Sequence, residues 1–286
     1  MRNIIAVLLS SVVITACSSV PQQTQQDLEL VDSRVGLIAA NANKLNLEPV
    51  LSIDHSRLAS EAEQDLSASR VELFSDDKLN TELLKQNIEV GLDLPFRVLS
   101  YSEDGEIKTR YTNAQFLQIR YGLNNTQALA QFEGNVEQLV SVVPDAMPAS
   151  TQGLEKGYGI TRIDSEMDFN STIESIKSNV LAQDGTEWFL TLDYSKQAKA
   201  IGVTLPNATL LVFGAPGPGA KAMKDFMSIG LDTFGQKVLV YQQGDKVVVA
   251  YNDIVDMARL HYQDSALPHR VVNTMLGKTI SKAVEK

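Results

Sequence analysis

The side chains able to do acid–base or nucleophilic work are few and scattered. There are three histidines, His55, His261 and His269, and one cysteine, Cys17. His55 follows Asp54, and His261 lies near Asp264. Two imidazoles and a carboxylate are a zinc-type donor set, but these histidines have no ligand spacing on one element, so surface or half-buried histidines are expected. Four aspartates form two matched pairs, Asp54 with Asp193 and Asp93 with Asp232. Paired carboxylates do acid–base work when burial shifts one pKa. Their neighbours favour structural duties instead. Asp54 and Asp193 precede short helices and suit N-caps, and Asp93 and Asp232 suit turns held through local N–H groups. Neither G-x-S-x-G nor H-E-x-x-H occurs. No catalytic residue, metal ligand or cofactor is assigned.

The run Gly214-Ala215-Pro216-Gly217-Pro218-Gly219-Ala220-Lys221 falls between a strand and a helix, as phosphate loops do. Lys221 comes one place too late for a Walker loop, Ala222 replaces the metal-binding hydroxyl, and two prolines remove N–H donors. A short strand-to-helix turn explains the glycines. The same neighbourhood could instead line a groove for a small or apolar ligand, formed by Phe213, Gly214, Pro216, Gly219, Asp232, Tyr241 and Tyr251. Aromatic strand residues such as Tyr101, Tyr111, Tyr241 and Tyr251 are more often core, as are Met223, Phe226 and Met227 on the middle helix.

The elements that must position these residues occur twice. Leu205 to Tyr251 overlays Leu66 to Tyr111, so that Phe74 meets Phe213, Lys85 meets Lys224, and Gly91-Leu92-Asp93 meets Gly230-Leu231-Asp232. One residue is then inserted, after which Val98-Leu99 meets Val238-Leu239, Tyr101 meets Tyr241 and Tyr111 meets Tyr251. Upstream, Asp54, Ser56 and Ala59 meet Asp193, Ser195 and Ala198. A nearly gapless match of this length marks a duplicated domain.

The second copy resembles the domain of unknown function 302 family through Leu192-Asp193-Tyr194-Ser195, Ala198, Leu205-Pro206, Leu210-Leu211-Val212-Phe213-Gly214 and Pro216. Gly230-Leu231-Asp232, Val238-Leu239-Val240-Tyr241 and Tyr251-Asn252-Asp253 continue the pattern. The first copy diverges, with Ser75-Asp76-Asp77 in place of Gly214-Ala215-Pro216. The resemblance implies an α+β fold similar to the TATA-binding-protein class, an antiparallel sheet covered by helices, here in two tandem domains. The family has no established activity, so the resemblance implies architecture and little chemistry.

Read in order, residues 1–17 form a lipoprotein signal peptide. Arg2 begins it, Ile4 to Ile14 is an apolar run too short to span a bilayer comfortably, and Ile14-Thr15-Ala16-Cys17 is similar to a lipobox. Cleavage there leaves Cys17 for acylation, and two or more chains anchor stably. Ser18 after the cysteine implies the outer membrane. Residues 18–26 read as a polar tether, 27–143 as the first domain, 144–158 as a Pro- and Gly-rich linker and 159–286 as the second domain. Leu79 to Val90 reads as one amphipathic helix ended by a left-handed Gly91. Hairpins are expected about Glu103-Asp104-Gly105 and Gln243-Gly244-Asp245. The first copy has no counterpart of the strand near Gly159, so its sheet is expected to be one strand shorter or to borrow an edge.

The chain has 25 Lys and Arg against 35 Asp and Glu, a formal charge of −10. That balance disfavours nucleic acid and anionic lipid as partners. With its only cysteine acylated, the mature chain has no disulfide or thiolate chemistry. The expectation is an envelope lipoprotein facing the periplasm that binds a small ligand or a periplasmic protein, or acts as a scaffold. Alternatives are a pseudo-dimeric interaction module and, last, a hydrolase using Asp193, Asp232 or His261. A ligand carrier needs a void lined by the strand tyrosines, an interaction module a solid core with an exposed apolar patch, and an enzyme a cleft of convergent ionisable groups.

Overall fold

Strand alternation gives each sheet two faces, and both faces of both sheets are apolar enough to need covering. A computed structural model describes residues 22–285. The signal peptide, Cys17 and residues 18–21 lie outside the described residues. The first copy runs α1 (Gln22–Lys44), β1 (Glu48–Asp54), α2 (His55–Glu61), β2 (Ser69–Ser75), α3 (Asp77–Leu84), a 3-10 segment (Ile88–Leu92), β3 (Phe96–Glu103), β4 (Glu106–Tyr111), α4 (Ala114–Tyr121) and α5 (Thr126–Val140). A two-residue strand, β5 (Met147–Pro148), follows. The second copy runs β6 (Ile160–Ser165), α6 (Phe169–Leu181), β7 (Glu187–Asp193), α7 (Tyr194–Ala200), β8 (Ala208–Gly214) and α8 (Pro216–Met223). It continues with a 3-10 segment (Met227–Leu231), β9 (Gln236–Gln243), β10 (Lys246–Asn252), α9 (Ile254–Tyr262) and α10 (Leu267–Val284). The chain is thus α+β, with two tandem domains of one build. Among the described residues no helix is long and apolar enough to cross a membrane.

The sheet orders are β1-β2-β3-β4-β5 and β6-β10-β9-β8-β7. Neighbours are antiparallel except β5, which runs parallel to β4. The first sheet therefore fills the place of β6 with a short strand from the segment between the copies. That segment is packed, with Ala149 and Leu154 buried. The proposed tether ends earlier than its composition implies, because α1 already includes Gln22 to Gln26.

Local chemistry sets the helix starts as expected in most places. The Asp54 and Asp193 carboxylates accept from the backbone N–H groups of Arg57 and Lys196. Asp168 caps α6, and Pro216 stands in the first turn of α8, where a missing N–H costs nothing. Most of the glycine-rich run is therefore helical. Asp104 and Gly105, both at positive φ, turn the first hairpin.

Gly91 corrects a sequence expectation. The stretch from Leu79 to Val90 is not one helix but α3 and a separate 3-10 segment, and Gly91 lies inside that segment without a left-handed φ. Its glycine is required by close approach. A Cβ there would lie 2.8 Å from Tyr194 Cε2 and 3.1 Å from Leu239 Cδ1, both in the other copy. Gly230 reciprocates: its Cβ would lie 2.8 Å from Met223 Cε, 3.2 Å from His55 Cε1 and 3.3 Å from Leu99 Cδ1. His55 and Leu99 hold the repeat positions of Tyr194 and Leu239. Each copy lays its 3-10 segment on the inner face of the other copy's sheet.

One apolar core therefore runs through both copies, joining Val71, Leu73, Leu99 and Leu92 to Leu210, Val212, Leu239 and Ile229. The outer face of the second sheet has its own core beneath α6 and α10, including Ile176, Phe213, Val240, Tyr251 and Ile280. The outer face of the first sheet is covered by α1 and α5, with Phe96 stacked on Phe132 at 4.5 Å. The strand tyrosines Tyr101, Tyr111, Tyr241 and Tyr251 are all buried.

Because the core is shared, the two copies unfold together. Urea unfolding followed by the fluorescence of the single tryptophan, Trp188, and by far-UV circular dichroism is expected to give coincident transitions. Gly91→Ala and Gly230→Ala are each expected to lower stability by ~1–3 kcal/mol through overpacking. Two resolved transitions, or neutral alanine variants, would contradict the shared core.

Candidate functional site at the junction of the two copies

Where the 3-10 segments end, two aspartates are carried into the middle of the molecule. Asp93 and Asp232 have no exposed surface. They do not hold local turns, as the sequence implies, but anchor one ionic cluster between the copies. Arg97, on the central strand β3, places Nη1 2.8 Å from Asp232 Oδ1 and Nη2 3.0 Å from Asp93 Oδ1. Arg120, from α4, donates to Asp93 Oδ2 at 2.7 Å and to Asn252 Oδ1 at 2.8 Å. Its Nε donates to the Tyr158 carbonyl at 3.0 Å. Arg97 and Arg120 are both fully buried.

The cluster follows the repeat. Asp93 accepts from the Tyr121 hydroxyl at 2.8 Å, and Asp232 pairs with His261 Nε2 at 2.5 Å. Tyr121 and His261 occupy the same place in the two copies, as do Arg97 and Lys237. Lys237 is the odd member. It is 4 % exposed, its Nζ lies 4.0 Å from Asp93 Oδ1, and it makes no hydrogen bond.

Burial acts first on every pKa here, and the neighbours then decide the outcome. Burial pushes the Asp232 carboxyl up, but Arg97 and His261 outweigh it and hold the group well below the carboxylate range. Arg120 and Arg97 do the same for Asp93. Lys237 is lowered to about 7, by burial and then by the Arg97 charge. The buried His55 is lowered to about 4 by burial. Its Nε2 lies 2.5 Å from the Phe234 carbonyl and its Nδ1 3.1 Å from Ser69 Oγ, so the neutral ring donates through Nε2. In the other copy the Tyr194 hydroxyl reaches the Gly91 and Leu94 carbonyls at 2.8 and 2.9 Å.

The histidines are more deeply buried than the surface or half-buried placement expected of them. His55 and His269 are buried, and the His261 side chain is 3 % exposed. His269 accepts from the Ala266 N–H at 2.9 Å and bonds the Ala222 carbonyl at 2.8 Å, tying α10 to α8. Among the described residues no group of three His, Cys, Asp or Glu side chains could hold a metal.

The seven residues proposed to line one groove go to five places. Gly214, Pro216 and Gly219 line a small apolar cleft of about 30 Å3 between α2 and α8, beside Ile53, His55 and Phe234. Phe213, with Gly214 again, lines a second cleft under α10, beside Val180 and Met275. Asp232 belongs to the ionic cluster. Tyr241 donates to Glu89 Oε1 at 2.9 Å across the copies, and Tyr251 lies in the outer core. Sequence reasoning missed Arg97, Arg120 and Lys237. The available signal was a basic residue in both copies at the same position of an otherwise apolar central strand.

The pH response has a defined sign. Because Lys237 is lowered to about 7 from an unfolded value near 10.5, the unfolded chain binds more protons between those limits, and stability rises with pH across that window. Lys237→Met is expected to flatten this rise. The depressed Asp232 works at the other end: its contribution is present above the ordinary aspartate pKa and is lost as pH falls below it. Asp232→Asn is expected to cost ~3–5 kcal/mol at pH 7, because Arg97 keeps its burial and loses a counter-charge. Chemical denaturation of the wild type and both variants from pH 2 to 10 checks these signs.

Comparisons with known proteins agree with the duplicated architecture. The family model described as "Domain of unknown function DUF302" matches residues 24–139 and 161–286. The fluoride-specific ion channel FluC 1 of Brucella suis biovar 1 (strain 1330) is 31 % identical over 104 residues, 36 % of this chain and 40 % of that protein. FluC 1 of Brucella abortus biovar 1 (strain 9-941) matches at the same identity over 38 % of its length. The chain thus spans about two fifths of the length of these relatives. A solved structure, the uncharacterized conserved protein DUF302 from Bacillus stearothermophilus, is 16 % identical with a TM-score of 0.37, covering 44 % of this chain and 95 % of its own. With its two matched regions and the same build in each, this chain belongs to the DUF302 family and carries two tandem copies of its domain.

Proposed function

We propose that this protein is a non-enzymatic binding or scaffolding lipoprotein, anchored through Cys17 at the periplasmic face of the outer membrane. The lipobox-like Ile14-Thr15-Ala16-Cys17 and the preceding apolar run support the anchor. Only four residues lie between Cys17 and Gln22, where α1 is already formed, so the five steps of extended chain put at most about 17 Å between the acylated residue and the folded body. The body is held close to the membrane, and the acidic excess of the chain, a formal charge of −10 over its full length, keeps it off anionic surfaces.

One observation carries the binding role. On α10, Leu267, Val271 and Met275 are 71, 48 and 47 % exposed and recur every four residues, so they form one apolar strip. With Pro218 and Pro268 they edge a shallow groove of about 310 Å3 against α8. The strand tyrosines are buried in the core and line none of the clefts described above. The ionisable groups that converge on Asp93 and Asp232 lie in the interior rather than in an open cleft. Both facts favour a docking surface over a ligand carrier or a hydrolase.

Two measurements test the proposal in cells expressing the full chain. Cys17→Ser is expected to move the protein from the membrane fraction to the soluble one; unchanged sedimentation with the outer membrane would refute lipid anchoring. A photo-crosslinking residue at position 271 is expected to give a discrete envelope-protein adduct. Combining Leu267→Glu with Met275→Glu should abolish that adduct while leaving Tm unchanged. No adduct at position 271 under conditions that label an exposed control site would refute the docking role.

A further inference from the structure

The ionic cluster is unbalanced. Four basic side chains, Arg97, Arg120, Lys237 and His261, converge on two carboxylates, Asp93 and Asp232. Arg97 and Arg120 alone match the charge of the two carboxylates, so a proton on Lys237 adds one surplus positive charge. Two of its donors are buried without a hydrogen-bond partner, Arg97 Nε and Lys237 Nζ. Such donors in a packed interior are rare and costly.

Both side chains line the same small cavity between the two sheets, of about 10 Å3. That is close to the space of one water-sized occupant. Its other side chains are apolar, among them Ile53, Leu73, Val212 and Phe234. The cavity shares Ile53, Phe234 and Gly235 with the cleft between α2 and α8, which opens towards the surface. We propose that this cavity is a binding site for one small monoatomic anion of halide type, held by Arg97 and Lys237 between the two copies.

Chemistry favours an anion over water. A water can accept from both donors, but the side chains lining the cavity offer no acceptor for its two hydrogens, since Asp93 Oδ1, which accepts no hydrogen bond, lies outside that lining, and it leaves the surplus charge uncompensated. A monoatomic anion brings no hydrogen and cancels that charge in a medium where an unpaired charge is expensive. The groups facing Lys237 fix the pH dependence: Arg97 and Arg120 oppose its protonation, while Asp93 and Asp232 favour it. Tyr121 and His261, on the same carboxylates, complete the shell. An anion beside Nζ adds to the carboxylates, so binding takes up a proton on Lys237. With that amine near 7, affinity at pH 8.5 is expected to be weaker than at pH 6 by roughly ten-fold or more.

The test is thermal unfolding of the full chain in sodium fluoride, chloride or gluconate at one ionic strength, at pH 6 and pH 8.5. The expected result is a saturable rise in Tm with fluoride or chloride but not with gluconate, half-saturating at much lower concentration at pH 6. Lys237→Met should remove the halide response. Should that variant not fold, wild-type crystals soaked in bromide supply the answer through an anomalous peak between Arg97 and Lys237. Equal effects of halide and gluconate, a halide response retained in Lys237→Met, or an ordered water with no anomalous signal would each overturn the inference.

Discussion

Placing two carboxylates between two sheets is the constraint to which the rest of the structure answers. Taking each charge out of water costs several kcal/mol even after relaxation. Asp93 and Asp232 are kept ionised only because Arg97 reaches both of them, with Arg120 on one side and His261 on the other. Arg97 in turn must come from the start of β3, and Arg120 from the last turn of α4. The carboxylates must arrive from the 3-10 segments, which lie on the opposite sheets because Gly91 and Gly230 have no side chain. Sheet spacing, helix placement and the two glycines are thus parts of one geometric requirement.

Stability and specificity divide along the same line. The apolar core through both copies supplies the driving force, at ~25 cal/mol for each Å2 of apolar surface removed from water. Buried ion pairs seldom add net stability compared with well-packed apolar residues. What they supply here is register. A slip of one residue in β3 would turn Arg97 to the outer face and leave Asp93 and Asp232 unpaired in the interior. The cluster therefore penalises wrong dockings of the copies more than it rewards the right one.

Much of this was legible in the chain. The overlay of residues 66–111 on 205–251 marks paired elements, and the helix caps at Asp54 and Asp193 are local bonds that sequence spacing reveals. The docking was not legible, because its contacts are not local: Arg97 meets Asp232 across 135 positions and Tyr194 meets Gly91 across 103. Repeat alignment shows that Asp93 and Asp232 are equivalent, but equivalence does not say that they meet. The same holds for Gly91, which reads as a helix terminator when only its own segment is considered. The short strand β5 was illegible for another reason, since two residues carry no periodicity.

The reciprocal docking of the 3-10 segments is the contact pattern of a two-fold dimer written into one chain. In a dimer of identical copies every residue on the axis is present twice, and any change there is made twice. Two arginines, or two lysines, would then face each other across the carboxylates, and no single member could change alone. Covalent fusion removes that restriction. Arg97 stands opposite Lys237 and Tyr121 opposite His261, so the junction holds four different basic or hydroxyl groups where symmetry would have permitted two. A centre of this kind has a direction, with one end able to titrate near neutrality and the other fixed in charge, which no symmetric pair of the same domains could provide.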